Sequence, residues 1–318
     1  MKPVKANGLS ACVIITVGAL LVATIAHSQI YVANNAGGTV GVYDLSGAPI
    51  NTALISGVPD VFGVAVSGGY LYVSYGIGSI GKYTTSGQVV NSKLITGLDL
   101  PAGIVVSGNY LYVANGGGLN RVGVYSTDGA TVNPSLLPGL ANPVGIALTH
   151  NTLFVSSWNP NGWVGEYRTD GTTVNERFAS GLTNPGGLAV DDAGNVYVGT
   201  VFGTIYRYTA SGTLIGTFDT GSRLGPALAY ANGHLFTVNN YGGPGGNVVD
   251  EYTTSGQVVH RALITGLSNP LGIAVVVPEP SVSVLMPFLL GVWLITRDLF
   301  SKASNGSCLR AKSILPNS

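Results

Sequence analysis

The segment between residues 29 and 277 is built from six copies of one pattern, spaced about 40 residues apart. Each copy contains a short apolar run whose second residue is aromatic. The six runs begin at Ile30, Leu71, Leu111, Leu153, Val196 and Leu235. A unit repeated at this period cannot bury its apolar residues alone, so it must pack against copies of itself. The repeat therefore restricts the chain to a solenoid or a closed ring of similar units.

Each repeat contains four such runs, rich in β-branched and aromatic residues and separated by Gly, Asn, Asp, Ser and Pro. This composition favours short strands joined by tight turns. One run of every repeat ends in tyrosine, at Tyr43, Tyr83, Tyr125, Tyr167, Tyr208 and Tyr252. Four short strands at this period predict an all-β fold, a β-propeller. A solenoid would need capping repeats at its ends, and none is visible.

The order of motifs within a repeat resembles that of NHL-type repeats over about 250 residues: Pro-x-Gly-Ile-Ala-Val, then Leu-Tyr-Val-Ala-Asn, then Val-x-Val-Tyr. In propellers of that type the Gly-Ile-Ala-Val strand is innermost. The body begins at Ile30 without such a strand before it, and it ends with one at 272–276. The resemblance therefore predicts six four-stranded blades, in which the C-terminal strand closes the first blade. Such closure removes the free edges of an open array.

The residues before the first repeat have the features of a Sec signal peptide. Two lysines precede an apolar, uncharged run over 11–26, and small residues occupy the −3 and −1 positions of a cleavage site between Ser28 and Gln29. A transmembrane anchor is the alternative, but the run is short and strand-like sequence follows at once. We predict a signal helix in residues 1–28, export, and the Sec translocon as a partner.

The residues after the last repeat resemble the PEP-CTERM sorting signal of Gram-negative bacteria. The motif Val277, Pro278, Glu279 and Pro280 precedes an apolar run over 282–295, which Arg297 follows. The resemblance implies a hydrophobic helix that anchors the protein transiently in the inner membrane, an exosortase-like processing enzyme, and final display at the cell surface or in the extracellular matrix. It also implies association with exopolysaccharide. We expect three parts: the signal peptide 1–28, the propeller 29–276 and the sorting segment 277–318.

The repeat body offers little that points to catalysis. It carries 8 basic and 12 acidic side chains, a net charge of about −4, which argues against nucleic acid as a partner. The two cysteines, Cys12 and Cys308, lie outside it. It contains no nucleophile elbow, HExxH motif, phosphate loop or EF-hand loop. The sequence thus predicts no catalytic residue, no metal and no cofactor.

The histidines and acidic residues of the body are interpreted as structural. We expect the three histidines, His150, His234 and His260, to be turn and surface residues that do not pair with one another. We expect the carboxylates of Asp44, Asp128, Asp170 and Asp250 to lie in or near turns, where they accept backbone hydrogen bonds.

Aromatic residues near the loops between the second and third strands of each blade suggest a binding site. In a propeller, these loops share one face with the connections between blades. The expected binding residues are Tyr75, Trp158, Trp163, Phe202 and Tyr241. Exposed rings flanked by Asn can stack on sugar faces while the amides bind hydroxyl groups. The alternative is that these rings cover the core or seal a blade interface.

Two functions follow from these features. The leading prediction is an exported, non-enzymatic propeller at the cell surface that acts as a binding or structural module associated with exopolysaccharide. The alternative is a metal-dependent hydrolase or lyase similar to the six-bladed lactonase propellers. That class needs acidic residues that converge on a divalent metal in the central channel, and no such cluster can be matched residue by residue in this sequence.

Overall fold

The computed structural model describes residues 28–76, 78–221, 223, 227–240 and 246–277. These residues form 24 strands, arranged as six four-stranded antiparallel sheets. The innermost strands of successive sheets contact one another around a central channel, so the sheets are the blades of a six-bladed propeller. The predicted all-β fold class is confirmed. Within the described part of the chain, no helix is long and apolar enough to cross a membrane.

The strands are numbered in chain order and the blades in order around the ring. Blade 1 contains β1 (Gln29–Asn34), β2 (Thr39–Asp44) and β3 (Pro49–Ile55), together with the last strand, β24 (Pro270–Val276). Blade 2 contains β4 (Val61–Ser67), β5 (Tyr70–Tyr75), β6 (Ser79–Thr84) and β7 (Val89–Ile95). Blade 3 contains β8 (Pro101–Ser107), β9 (Tyr110–Asn115), β10 (Arg121–Ser126) and β11 (Thr131–Leu137). Blade 4 contains β12 (Pro143–Thr149), β13 (Thr152–Ser157), β14 (Gly162–Arg168) and β15 (Thr173–Leu182). Blade 5 contains β16 (Pro185–Val190), β17 (Val196–Thr200), β18 (Thr204–Tyr208) and β19 (Leu214–Asp219). Blade 6 contains β20 (Leu228–Ala231), β21 (His234–Asn239), β22 (Val248–Thr253) and β23 (Val258–Ile264).

The strands of a blade are counted from the channel outward, so the first strand of blade 1 is β24. The connections between second and third strands and those between blades lie on one face, called the upper face. The turns between first and second strands and between third and fourth strands lie on the opposite, lower face.

Blade 1 is completed by the two ends of the body. β24 pairs antiparallel with β1, with Tyr31 opposite Ala274 and Val32 opposite Ile273. The predicted closure, in which the C-terminal strand completes the first blade, is confirmed. The predicted signal helix and the predicted C-terminal hydrophobic helix lie outside the described residues.

The core consists of six clusters, one at each blade interface. Between blades 1 and 2, for example, Tyr31 and Val40 pack against Val61, Leu71 and Val73. Successive residues of a strand point to opposite faces of the sheet, and each face of a blade meets a neighbouring blade. The second and third strands are therefore buried on both faces, which explains why most of their residues are apolar.

Glycines in the inner strands allow the blades to approach closely. A Cβ atom on Gly103 would lie 2.6 Å from the carbonyl oxygen of Val144 in the next blade. Gly63, Gly145 and Gly272 meet the backbone of the following blade in the same way. Because backbone atoms cannot move aside as a side chain can, the Gly of the Gly-Ile-Ala-Val motif is a packing requirement of the ring.

In two blades, a buried serine on the second strand connects the inner strands of adjacent blades. Ser156 Oγ accepts a hydrogen bond from the N–H of Gly145 at 2.8 Å and donates to the carbonyl of Gly186 at 2.9 Å. Ser74 makes the same pair of bonds between blades 2 and 3, at 2.7 and 2.8 Å. These hydroxyl groups satisfy backbone polar groups that are cut off from water where the blades meet.

Acidic side chains stabilise several lower turns, as predicted. Asp44 Oδ1 accepts hydrogen bonds from the backbone N–H groups of Ser46 and Ala48. The Ser46 hydroxyl also donates to it, and this bond lowers the pKa of the Asp44 carboxyl. Asp170 accepts from a turn amide in blade 4, and the exposed Asp128 lies 3.6 Å from Lys82 Nζ.

Asp250 is not a turn residue, so its predicted position is wrong, although its carboxylate does accept a backbone hydrogen bond. It is buried within β22, where its Oδ1 accepts a hydrogen bond from the N–H of Ala262 at 2.6 Å. In blades 1 to 4 an asparagine of the fourth strand holds the corresponding amide, as Asn51 does for Ala53. Blade 6 has His260 in place of that asparagine, so a carboxylate on the neighbouring strand takes over its role. Burial raises the pKa of Asp250.

Candidate functional site

The upper half of the central channel contains a cavity of about 350 Å³. Its wall includes an apolar side chain from the inner strand of every blade: Ile273, Phe62, Ile104, Val144, Leu188 and Leu228. None of the described residues that line it is charged. The cavity lies next to the upper face, because its lining residues come from the connections on that face and from the first four residues of each inner strand, which starts there.

Trp158 lies at the rim of this cavity, on the connection that follows β13. Its backbone N–H donates to the carbonyl of Asn142 at 3.0 Å, and Asn142 Nδ2 donates to the carbonyl of Trp158 at 3.2 Å. The backbone N–H of Asn142 in turn donates to Asn120 Oδ1 at 2.9 Å. Asn142 has a φ of 51°, a left-handed conformation that asparagine adopts more readily than most residues. Hydrogen bonds between two connections thus fix the backbone of the rim tryptophan.

On the opposite side of the ring, a chain of amides runs from blade 6 through blade 1 to blade 2. Asn240, which also lines the cavity, donates to Asn269 Oδ1 at 3.4 Å. Asn269 donates to Asn35 Oδ1 at 3.2 Å, and Asn35 donates to the carbonyl of Val61 at 3.2 Å. Asn240 Oδ1 is buried and accepts no hydrogen bond from the described residues.

Trp163 and Tyr75, two of the predicted binding residues, point away from the cavity. Trp163 belongs to β14 rather than to the preceding loop, and the guanidinium of Arg177 lies 3.7 Å from its ring centroid. Tyr75 packs against the cluster between blades 1 and 2, and its hydroxyl donates to the carbonyl of Ser92. Burial raises the pKa of Tyr75. Tyr75 thus lies at the interface between blades 1 and 2, and Trp163 lies against Arg177 of the neighbouring strand β15.

Phe202, a further predicted binding residue, is exposed on the upper face. It lies in the connection after β17, in the blade next to Trp158, and its exposed fraction is 57%. The guanidinium of Arg223 lies 5.3 Å from its ring centroid. Tyr241, the last residue of the predicted set, lies outside the described residues. Among the described members of the predicted set, Trp158 is the one that lines the cavity.

The predicted processing sites are described only in part. Ser28 and Gln29 are both half-buried, and Gln29 is the first residue of β1. Val277 packs against the cluster between blades 6 and 1, directly after the closing strand. Pro278, Glu279, Pro280 and Arg297 lie outside the described residues.

Two of the histidines share a partner that the sequence did not reveal. His150 is an exposed turn residue with a φ of 50°. His234 and His260 lie on β21 and β23, on either side of the buried Glu251 of β22. His260 Nδ1 lies 2.6 Å from Glu251 Oε2, and His234 Nδ1 contacts Oε1. Among the described residues there is no group of three or more His, Cys, Asp or Glu side chains that could hold a metal ion.

Sequence reasoning missed the two asparagines at the cavity, Asn142 and Asn240. For Asn142, the sequence signal is its position in the repeat, directly before the inner strand. The residue before the inner strand has a positive φ in five blades, at Asp60, Leu100, Asn142, Asn184 and Asn269. The repeat order places this position at the start of the inner strand and therefore near the upper mouth. Asn240 carries no comparable signal, because it lies in a connection that differs from blade to blade.

Comparison with known sequences supports the repeat architecture. Residues 60–78 and 102–122, which span nearly all of the first and second strands of blades 2 and 3, match the LVIVD repeat. The chain is thus a six-bladed propeller in which two segments match the LVIVD repeat, and this fits the NHL-like propeller expected from the motif order. A search of curated protein sequences finds no match.

Solved structures share the same fold. A chain in a crystal structure of a nidogen–laminin complex has a TM-score of 0.68 and is 19% identical, with 79% of this chain and 98% of that chain covered. A protein of unknown function from Bacteroides caccae has a TM-score of 0.61 and is 15% identical, with 80% and 100% covered. At these identities the similarity shows the fold alone.

Proposed function

We propose that this protein is an exported, non-enzymatic binding module of a Gram-negative bacterium, and that the upper mouth of its channel binds exopolysaccharide. The observation that carries the proposal is the position of Trp158 at the rim of an uncharged cavity, together with the amides of Asn142 and Asn240. An aromatic ring can stack on the apolar face of a sugar while amide groups bind its hydroxyls. The hydrogen bonds that fix the Trp158 backbone reduce the entropy lost when a ligand binds.

The contacts of the two neighbouring tryptophans suggest different roles for them. Trp163 already has a guanidinium against its ring, whereas Trp158 faces the cavity rim. We assign sugar stacking to Trp158. Phe202 is a second contact in this proposal, because 57% of it is exposed and the Arg223 guanidinium lies farther from its ring, at 5.3 Å, than Arg177 lies from that of Trp163, at 3.7 Å. Binding through Tyr241 remains a prediction.

Calorimetric titration with exopolysaccharide purified from the native host tests this assignment. Trp158→Ala should weaken binding about tenfold or more, equivalent to about 1.4 kcal/mol, because it removes the stacking surface. Trp163→Ala is the matched control, since it removes the same side chain five residues away, and it should leave affinity within about twofold. Unchanged affinity in Trp158→Ala would contradict the proposal.

The proposed route to the cell surface rests on the two terminal segments of the sequence. The chain would be exported through the Sec translocon, anchored transiently in the inner membrane, and processed by an exosortase-like enzyme. Val277, the first residue of the sorting motif, packs against the cluster between blades 6 and 1, so processing would take place directly beside the folded ring.

Mass spectrometry of the protein isolated from its native host tests this route. We expect a chain that starts at Gln29 and ends near Pro280. Recovery of the intact 318-residue chain would rule out both processing steps.

A further inference from the structure

We infer that the cavity below the rim binds an uncharged apolar group, so that the preferred ligand of this propeller is a sugar that carries such a group. This inference rests on the proposed function, because it takes the sugar at Trp158 as the part of the ligand that stays at the rim. It adds the chemical class of the group that enters the channel.

The volume of the cavity limits the size of that group. One water molecule occupies roughly 30 Å³ in the liquid, so a cavity of about 350 Å³ accommodates about a dozen non-hydrogen atoms. An aromatic ring with a small substituent, or a short acyl group, has this size. A whole oligosaccharide does not fit, and the remainder of a glycan must lie on the upper face.

The wall of the cavity selects against charge. Side chains such as Ile104, Leu188 and Ile273 give no compensation to an ion that loses its hydration, whereas they favour an apolar group roughly in proportion to the area buried. The polar side chains that line the cavity, Asn142 and Asn240, lie at its upper end. A ligand would therefore enter with its apolar end first and its hydroxyl groups at the rim.

The repeats show how the cavity can be filled without disturbing the backbone. The second residue of the inner strand lines the cavity in several blades, and it is Leu271 in blade 1, Phe62 in blade 2 and Ala102 in blade 3. Since the same strand position already carries a phenylalanine, Ala102→Phe should place a second ring in the cavity. Ala193, exposed in a lower turn of blade 5, offers a matched control substitution on the opposite face.

Calorimetry with three small glucosides tests the inference: phenyl, methyl and 4-carboxyphenyl β-D-glucopyranoside. The phenyl compound should bind about tenfold or more tightly than the methyl compound, because its ring is buried in the apolar cavity. The 4-carboxyphenyl compound should bind no more tightly than the methyl compound, because its charge would be buried without a partner. Ala102→Phe should abolish the preference for the phenyl group, and Ala193→Phe should retain it.

Equal binding of the phenyl and methyl compounds to the wild-type protein would overturn the inference, and so would a failure of both to bind. A phenyl preference that survives in Ala102→Phe would overturn it as well. If circular dichroism shows that Ala102→Phe does not fold, the comparison of the three compounds on the wild-type protein decides alone. The proposed function has a separate readout: it fails if Trp158→Ala leaves exopolysaccharide binding unchanged, whichever glucoside binds best.

Discussion

Replacing Ser156 by alanine should break the link between the inner strands of blades 4 and 5 without changing the shape of the core. The buried hydroxyl accepts a hydrogen bond from the N–H of Gly145 at 2.8 Å and donates to the carbonyl of Gly186 at 2.9 Å. Alanine fits this position, because blades 1 and 3 carry Ala33 and Ala114 there. The substitution therefore removes two hydrogen bonds and adds no steric strain.

The expected magnitude follows from the two groups that lose their partner. A buried polar group left unpaired costs about 1–3 kcal/mol, and the N–H is the larger loss because it has a single proton to donate. We expect Ser156→Ala to lower the free energy of unfolding by about 2–3 kcal/mol. At roughly 2–4 °C per kcal/mol for a domain of this size, the melting temperature should fall by about 4–12 °C. The reverse change, Ala114→Ser, should add about 0.5–1.5 kcal/mol.

Urea unfolding followed by far-ultraviolet circular dichroism measures both changes, with a constant m-value as the sign that the unfolded state is unaffected. Ser180→Ala is the control, because Ser180 is exposed on β15. If Ser156→Ala unfolds within about 0.5 kcal/mol of the wild-type protein, as ordinary surface substitutions do, the serine bridges do not stabilise the contact between blades.

Three further predictions concern the ring and its outer strands. Gly103→Ala should yield insoluble protein, because the added carbon would lie 2.6 Å from the carbonyl oxygen of Val144; Gly216→Ala, with nothing within 4 Å, should express normally. Burial raises the pKa of Asp250 above its usual 3.8. Between the unfolded pKa and this raised pKa, the folded protein retains a proton that the unfolded chain releases, so the free energy of unfolding falls as pH rises through that range. Asp250→Asn keeps an oxygen acceptor and should remove that fall, which urea unfolding would detect as higher stability at about pH 7 and no difference below the unfolded pKa. Deletion from Pro270 onward removes the inner strand of blade 1 and exposes the edge of its neighbour, so light scattering should detect aggregation; a soluble, folded product would contradict the closure argument.

The strands and the closure of the ring were predictable because the information is local and repeated. Each blade repeats the same strand pattern and turn residues. The body begins with the second strand of a blade and ends with a first strand, so its two ends together complete one blade. That phase predicted that the strand at 270–276 would pair with the one at 29–34, as it does. The glycine in the inner strand also has a local signature, although its cause is a contact with the next blade.

The outer strands of blade 6 were less predictable, because the substitutions there compensate one another across strands. His260 replaces an asparagine that would hold a bulge amide, and Asp250 on the adjacent strand supplies the acceptor instead. The carboxylate of Glu251 then contacts the imidazole rings of His234 and His260, which lie on its two neighbouring strands. The strand register brings these groups together, and a residue-by-residue comparison of repeats does not reveal it.

The sequence by itself determined the number of strands and blades, because these depend on a pattern that recurs along the chain, and the resemblance of that pattern to NHL-type repeats implied which strand closes the ring. Only the tertiary structure decided which aromatic residue belongs to the candidate site. Trp158 and Trp163 are five residues apart. Trp158 lies at the channel rim, whereas Trp163 lies on the third strand of its blade, with its ring against the guanidinium of Arg177. The reason is that the cavity is formed jointly by inner strands from all six blades, and the side chains that reach it are selected by packing between distant repeats.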